Sequence, residues 1–136
     1  MATPRPATIS QRTTLYEEAV RIVEVEFASD LSLDDVARRV AASRRQLQRA
    51  YTEIGGTTFR EHLTDVRMRH AADLLAGGHA TVREVSRQVG YRQPAQFAKA
   101  FRRHHGVAPS DYRADGARHA ARFAREGELD RAARAA

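Results

Sequence analysis

One pattern occurs twice in this chain, at an offset of about fifty residues, and it constrains the fold more than any single residue. Ser32, Leu33, Asp35, Val36 and Val40 recur as Thr81, Val82, Glu84, Val85 and Val89. After one extra residue in the second copy, Leu47, Tyr51 and Gly56 recur as Phe97, Phe101 and Gly106. Each copy therefore reads as a capped short helix, a turn, a helix carrying a bulky pair at i and i+4, and a closing glycine. Two helices that share a core across a short turn form a helix-turn-helix.

The second copy is the clearer one. Thr81 and Glu84 make a T-x-x-E capping box, which satisfies otherwise unpaired N–H groups at a helix start. Val82, Val85 and Val89 then recur at helical spacing, and Gly90 stops the helix in a left-handed turn. Pro94 suits the first turn of the next helix, whose inner face carries Phe97 and Phe101. Its outward residues are Arg92, Gln93, Gln96, Lys99 and Arg103, with no carboxylate among them. Such a face suits the floor of a major groove, where Gln and Lys hydrogen-bond base edges. In the first copy Ser43 caps the second helix, Leu47 and Tyr51 face inward, and Arg45, Gln48, Arg49 and Thr52 share the opposite stripe.

Around the repeats, the chain reads as five segments. Residues 1–12 are polar, contain two prolines, and are expected to be a disordered arm. Thr14 and Glu17 form another T-x-x-E box, predicting an amphipathic helix from there to about Ala28 within a first helix-turn-helix subdomain, 13–57. Thr58 and Glu61 cap a linker helix over 58–76, roughly 27 Å long at 1.5 Å per residue. Phe59, Leu63, Val66, His70, Ala71, Leu74 and Leu75 are expected on one side of it. The second subdomain spans 77–113. An alanine- and arginine-rich tail, 114–136, has too little apolar surface to fold alone and is expected to fray. The expected class is all-α: about seven helices, in two helix-turn-helix subdomains joined by a long connecting helix.

Charge narrows the partner. The 136 residues carry 23 Lys and Arg against 17 Asp and Glu, net charge +6, which favours a polyanion. The charges are also segregated. Leu15–Asp30 is acidic, whereas Ser43–Thr52 holds Arg44, Arg45 and Arg49 and no carboxylate, the footprint of a face that meets phosphate. Cysteine is absent, which excludes disulfides, thiolate catalysis and cysteine zinc sites. The six histidines, His62, His70, His79, His104, His105 and His119, show no metal-ligand spacing. His104 and His105 are expected near the nucleic-acid backbone beside Arg102 and Arg103. No catalytic or phosphate-cradling motif is present, so no enzyme, cofactor or metal is expected. Without an apolar leader or membrane-length run, the chain is expected to be soluble and cytoplasmic.

These residues carry a resemblance. The second copy, V-x-E-V-S-x-x-V-G-Y-x-x-x-x-x-F-x-x-x-F-R-R-x-x-G-V-x-P-S-D-Y-R, is similar to the C-terminal signature of the AraC/XylS transcriptional regulators. Leu47-Gln48-Arg49-Ala50-Tyr51, Gly56-Thr57-Thr58-Phe59 and Arg67-Met68-Arg69 resemble that family's first helix-turn-helix and connecting helix. The match covers about Leu15 to Arg113. It implies an all-α domain that binds double-stranded DNA at asymmetric sites, often as a monomer, and recruits or excludes RNA polymerase. Base contact is implied for Arg45, Gln48 and Arg49 in the first unit and for Arg92, Gln93, Gln96 and Lys99 in the second. Phosphate contact is implied for Ser43, Arg44 and Thr52, and expected of Arg102 and Arg103. Gln93, Pro94 and Ala95 depart from the usual pattern, and Ala95 suggests an apolar contact such as a thymine methyl.

Most members of the family carry a separate effector domain, for which no sequence here provides. That is similar to the small single-domain subgroup, the alternative being a piece of a longer regulator. A second function class stays open: an interaction module or antagonist that docks on RNA polymerase or another regulator through the acidic first helix and the tail.

Overall fold

The structure, a computed structural model, describes residues 6–116. The order is α1 (Pro6–Glu26), α2 (Leu33–Arg39), α3 (Arg44–Ala50), a π-helical turn (Tyr51–Gly55), α4 (Phe59–Gly77), α5 (Val82–Gln88) and α6 (Pro94–His105). Residues 109–116 form α7. No strand occurs among the described residues, so the chain has the all-α class expected of it. No helix among them is long and apolar enough to cross a membrane.

Packing divides the chain into two units, the first ending at Arg67 and the second beginning at Met68. The division falls inside α4, not at its two ends. The reason is that the halves of α4 have different partners. Leu63 and Val66 pack with Val23 of α1, and Arg67 donates from Nε to the Phe27 carbonyl at 2.8 Å and from Nη2 to that of Ser29 at 2.9 Å. Beyond them, the Met68 carbonyl accepts from Nε2 of His105 at 3.3 Å.

In the first unit, Ala19, Val36, Ala37, Leu47 and Tyr51 form the core, flanked by Tyr16, Ile22, Leu31, Leu33 and Phe59. Tyr51 is its hub. Its ring meets Tyr16 and Phe59 edge-on, with centroids 5.3 and 5.9 Å away, and its hydroxyl lies 2.9 Å from His62 Nδ1. A Cβ at Gly55 would fall 2.5 Å from the Tyr16 ring, so any larger residue in the π-helical turn would have to push that ring aside.

The first helix corrects two expectations. Residues 6–12 belong to α1 and are not a disordered arm; residues 1–5 lie outside the described residues. Pro6 sits at the helix start, where its missing N–H costs nothing. The Arg12 guanidinium, mostly buried, pairs with the Glu53 carboxylate on the π-helical turn, which ties down the two extra turns. Thr14 accordingly caps nothing. Its hydroxyl donates to the Ser10 carbonyl at 3.1 Å within α1, and the N–H groups a cap would serve lie in the helix interior.

In the second unit the buried residues include Met68, Ala71, Ala72, Leu75, Val85, Val89, Phe97 and Phe101. Leu74, expected in this core, is 38% exposed, while Met68, which is not among the residues expected on the apolar side, is fully buried. His105 is also a packing residue, against expectation: its ring stacks 4.4 Å from Phe101 and 5.6 Å from Tyr112. Because a carbonyl can only accept, its Nε2 carries the proton given to Met68. Arg113 donates to the carbonyls of Ala80 and Gly78 at 2.8 and 3.2 Å, and Gly116 of α7 abuts Ala76. The expected tail boundary at 114 does not appear, since 114–116 continue α7; residues 117–136 lie outside the described residues.

The first helix and the turn of the two repeats are held by equivalent bonds. Ser32 Oγ and Thr81 Oγ1 each accept the N–H three residues on, at 3.1 Å. The turns close through Ala42 N–H to Ala37 O and Tyr91 N–H to Ser86 O, both 2.9 Å. Gly56 and Gly106 end the second helices with φ of +62° and +79°.

Candidate nucleic-acid interface

Helix α3 is fixed at its start by a reciprocal capping box. Gln46 N–H donates to Ser43 Oγ at 3.1 Å, and Ser43 N–H donates to Gln46 Oε1 at 2.8 Å. At Thr81 the box is only half made: Glu84 N–H reaches Thr81 Oγ1, but the Glu84 carboxylate accepts the Thr81 hydroxyl at 3.1 Å. The fixed start of α3 orients its faces. Leu47 and Ala50 point into the core with no exposure, which turns Arg45, Gln48 and Arg49 to the surface. No other described residue engages those three side chains.

The residues around this stripe are more committed. Ser43 serves as the cap, so only its hydroxyl proton remains to offer a phosphate. Arg44 lies 3.6 Å from Asp34, both side chains well over half exposed, a pairing worth roughly 0–1 kcal/mol. Thr52 stands just past α3 in the wider π-helical turn, and its hydroxyl donates to the Gln48 carbonyl at 3.0 Å. Tyr51 shows the same environment from inside: burial pushes its phenol well above the ordinary value.

In the second unit, Pro94 opens α6 and Gln93 is its N-cap, in extended backbone. Phe97 and Phe101 are fully buried with ring centroids 5.8 Å apart, which sets the orientation of the helix. Arg92, Gln93, Gln96 and Lys99 are all exposed, Arg92 in the turn and the others from the cap onward. Arg102 and Arg103 are exposed in the last turn, where cations complement the helix dipole.

A groove of about 500 Å³ adjoins the α3 stripe, lined by Leu33, Arg44, Gln48, Tyr51, Thr52, Thr58, Phe59 and Arg60. No sequence pattern singled out Arg60, because it lies on α4 and outside both repeats. Among the described residues, no group of His, Asp and Glu side chains converges as a metal site.

Comparison with known proteins identifies the family. The chain matches a family model described as a helix-turn-helix domain over residues 36–115, more than half its length. It is 33% identical over 97 residues to the lactose operon transcription activator of Staphylococcus xylosus, covering 71% of this chain and 35% of that protein. The chain thus spans only about a third of the length of that relative. Its fold is similar to that of an AraC-type transcriptional regulator from Chromobacterium violaceum, with TM-score 0.72 and 28% identity over 79% of this chain and 96% of that one. It is also similar to the DNA-binding domain of AdpA, a global transcriptional factor solved with a target DNA, with TM-score 0.70 and 28% identity over 74% and 90% of the two chains. Each of these is named as a regulator of transcription and none as an enzyme. This chain belongs to the helix-turn-helix family of AraC-type transcriptional regulators.

Proposed function

We propose that the chain is a sequence-specific DNA-binding regulator that inserts α3 and α6 into successive major grooves of promoter DNA. The observation that carries this reading is the α3 stripe. Arg45, Gln48 and Arg49 are exposed and unengaged by described residues on a helix whose other face is fully buried, so they meet whatever α3 docks on. In the reading, Arg45 and Arg49 pair with guanine and Gln48 with adenine, each worth ~1–3 kcal/mol of discrimination. On α6, Gln93, Gln96 and Lys99 read bases together with Arg92 from the turn. Ser43, Arg44, Thr52, Arg102 and Arg103 hold the backbone, so affinity falls steeply with salt. The likeness to a domain solved on a target DNA supports this assignment. Bound as a monomer in the cytoplasm, the chain then recruits or excludes RNA polymerase.

Selection of bound duplexes from a random pool tests the reading. The expected result is an asymmetric motif of two blocks whose centres lie about 10 bp apart. A pool that enriches no motif over several rounds at moderate salt overturns it in favour of an interaction module that docks on protein.

A further inference from the structure

The groove beside α3 is chemically lopsided. Its floor is apolar, from Leu33, Tyr51 and Phe59, and its only charged lining residues are Arg44 and Arg60, with no carboxylate. Arg44 comes from α3 and Arg60 from the first turn of α4, so two helices each bring a guanidinium to one trough. Arg44 is shared with Asp34 at 3.6 Å, whereas Arg60 is exposed and has no partner among the described residues. Gln48 and Thr52 line the same trough, which makes it continuous with the stripe read as base-contacting.

An apolar floor under two cations matches one partner: a sugar–phosphate strand, which presents an apolar deoxyribose face beside a phosphate anion. We propose that Arg60 is a DNA-backbone anchor, holding with Arg44 a phosphate of the strand that passes over Leu33 and Phe59 while α3 occupies the groove. This rests on the DNA-binding reading and adds to it a contact from α4, outside either helix-turn-helix. A guanidinium at this place fixes the register of α3 and carries no base preference.

The test is fluorescence anisotropy on a selected duplex and a scrambled one, across a KCl series, with wild type, Arg60→Gln, Arg60→Lys, Arg60→Glu and, as a control on the outer face of α1, Arg21→Gln. Arg60→Gln should weaken both duplexes by the same factor, about three- to tenfold, and lower the salt slope by about 1. Arg60→Lys should keep the slope, Arg60→Glu should weaken binding further than the glutamine, and Arg21→Gln should match wild type. If Arg60→Gln matches wild type in affinity and slope, or weakens only the selected duplex, Arg60 is not a backbone anchor. If wild type binds neither duplex, the DNA-binding reading falls first and the anchor with it, an outcome distinct from a wild type that binds and an Arg60→Gln that equals it.

Discussion

Ala41 stands in the turn of the first repeat where Gly90 stands in the second, and both take positive φ, +55° and +97°. The turn geometry is therefore a property of the motif, and one copy meets it with a side chain that disfavours it. An L-residue in this region costs roughly 1–2 kcal/mol, partly offset by the greater backbone entropy a glycine loses on folding. Ala41→Gly should stabilise the protein by about 0.5–1 kcal/mol, and Gly90→Ala should destabilise it by at least that amount. Urea denaturation of the two variants checks both signs; a destabilising Ala41→Gly would mean that the methyl packs more than it strains.

The same pairing of repeats exposes Ser86. It is fully buried on α5 with no hydrogen-bond partner for its Oγ among the described residues, whereas the equivalent Ala37 is an alanine in the core. An unmatched buried hydroxyl costs about 1–3 kcal/mol, so Ser86→Ala should raise stability by about 1 kcal/mol. Thermal unfolding measures it, with loss of stability as the contrary result.

Tyr51 links stability to alkaline pH. Burial is the main cause that lifts its phenol above the ordinary 10, with a smaller contribution from Tyr16. The unfolded phenol ionises first, so above about pH 10 the unfolded state binds fewer protons than the folded one. The stability is full below the unfolded pKa and lost as pH rises toward the folded one. Tyr51→Phe should cost about 1 kcal/mol at neutral pH through the bond to His62, and should flatten the alkaline decline. Denaturation between pH 8 and 11 compares the slopes; identical slopes would mean that Tyr51 does not titrate on unfolding.

Arg49→Ala separates base reading from backbone contact. Removing a guanidinium bidentate to guanine should weaken the selected duplex by ~1–3 kcal/mol and broaden preference at one or two positions, with scrambled DNA bound nearly as before. Uniform weakening of all sequences would make Arg49 a phosphate ligand.

Much of this architecture could be read from local chemistry. Ser32, Ser43 and Thr81 cap helices because a side-chain oxygen three residues before an N–H satisfies it wherever the chain is placed. The buried faces of α3 and α6 follow from Leu47 and Tyr51, and from Phe97 and Phe101, at helical spacing. Their exposed faces, with the polar residues proposed to read DNA, follow as the complement. Where the reading failed, local rules met a tertiary contact. Thr14 looks like a cap, but Arg12 pairing with Glu53 carries α1 two turns further back. Leu74, expected on the apolar side of α4, is exposed, and Met68, outside that expected stripe, is buried, because α4 packs in two units in succession.

The sequence by itself determined where helices start and stop, which faces are apolar, and that one motif is used twice, because caps, turns and i/i+4 spacing act over a few residues. Only the tertiary structure decided that Ala41 must share a glycine's backbone, that Arg44 stands beside Asp34, and that Arg60 meets Arg44 across one groove. Those relations join residues on different elements, and a distance between elements is set by packing of the whole core, which no local pattern encodes.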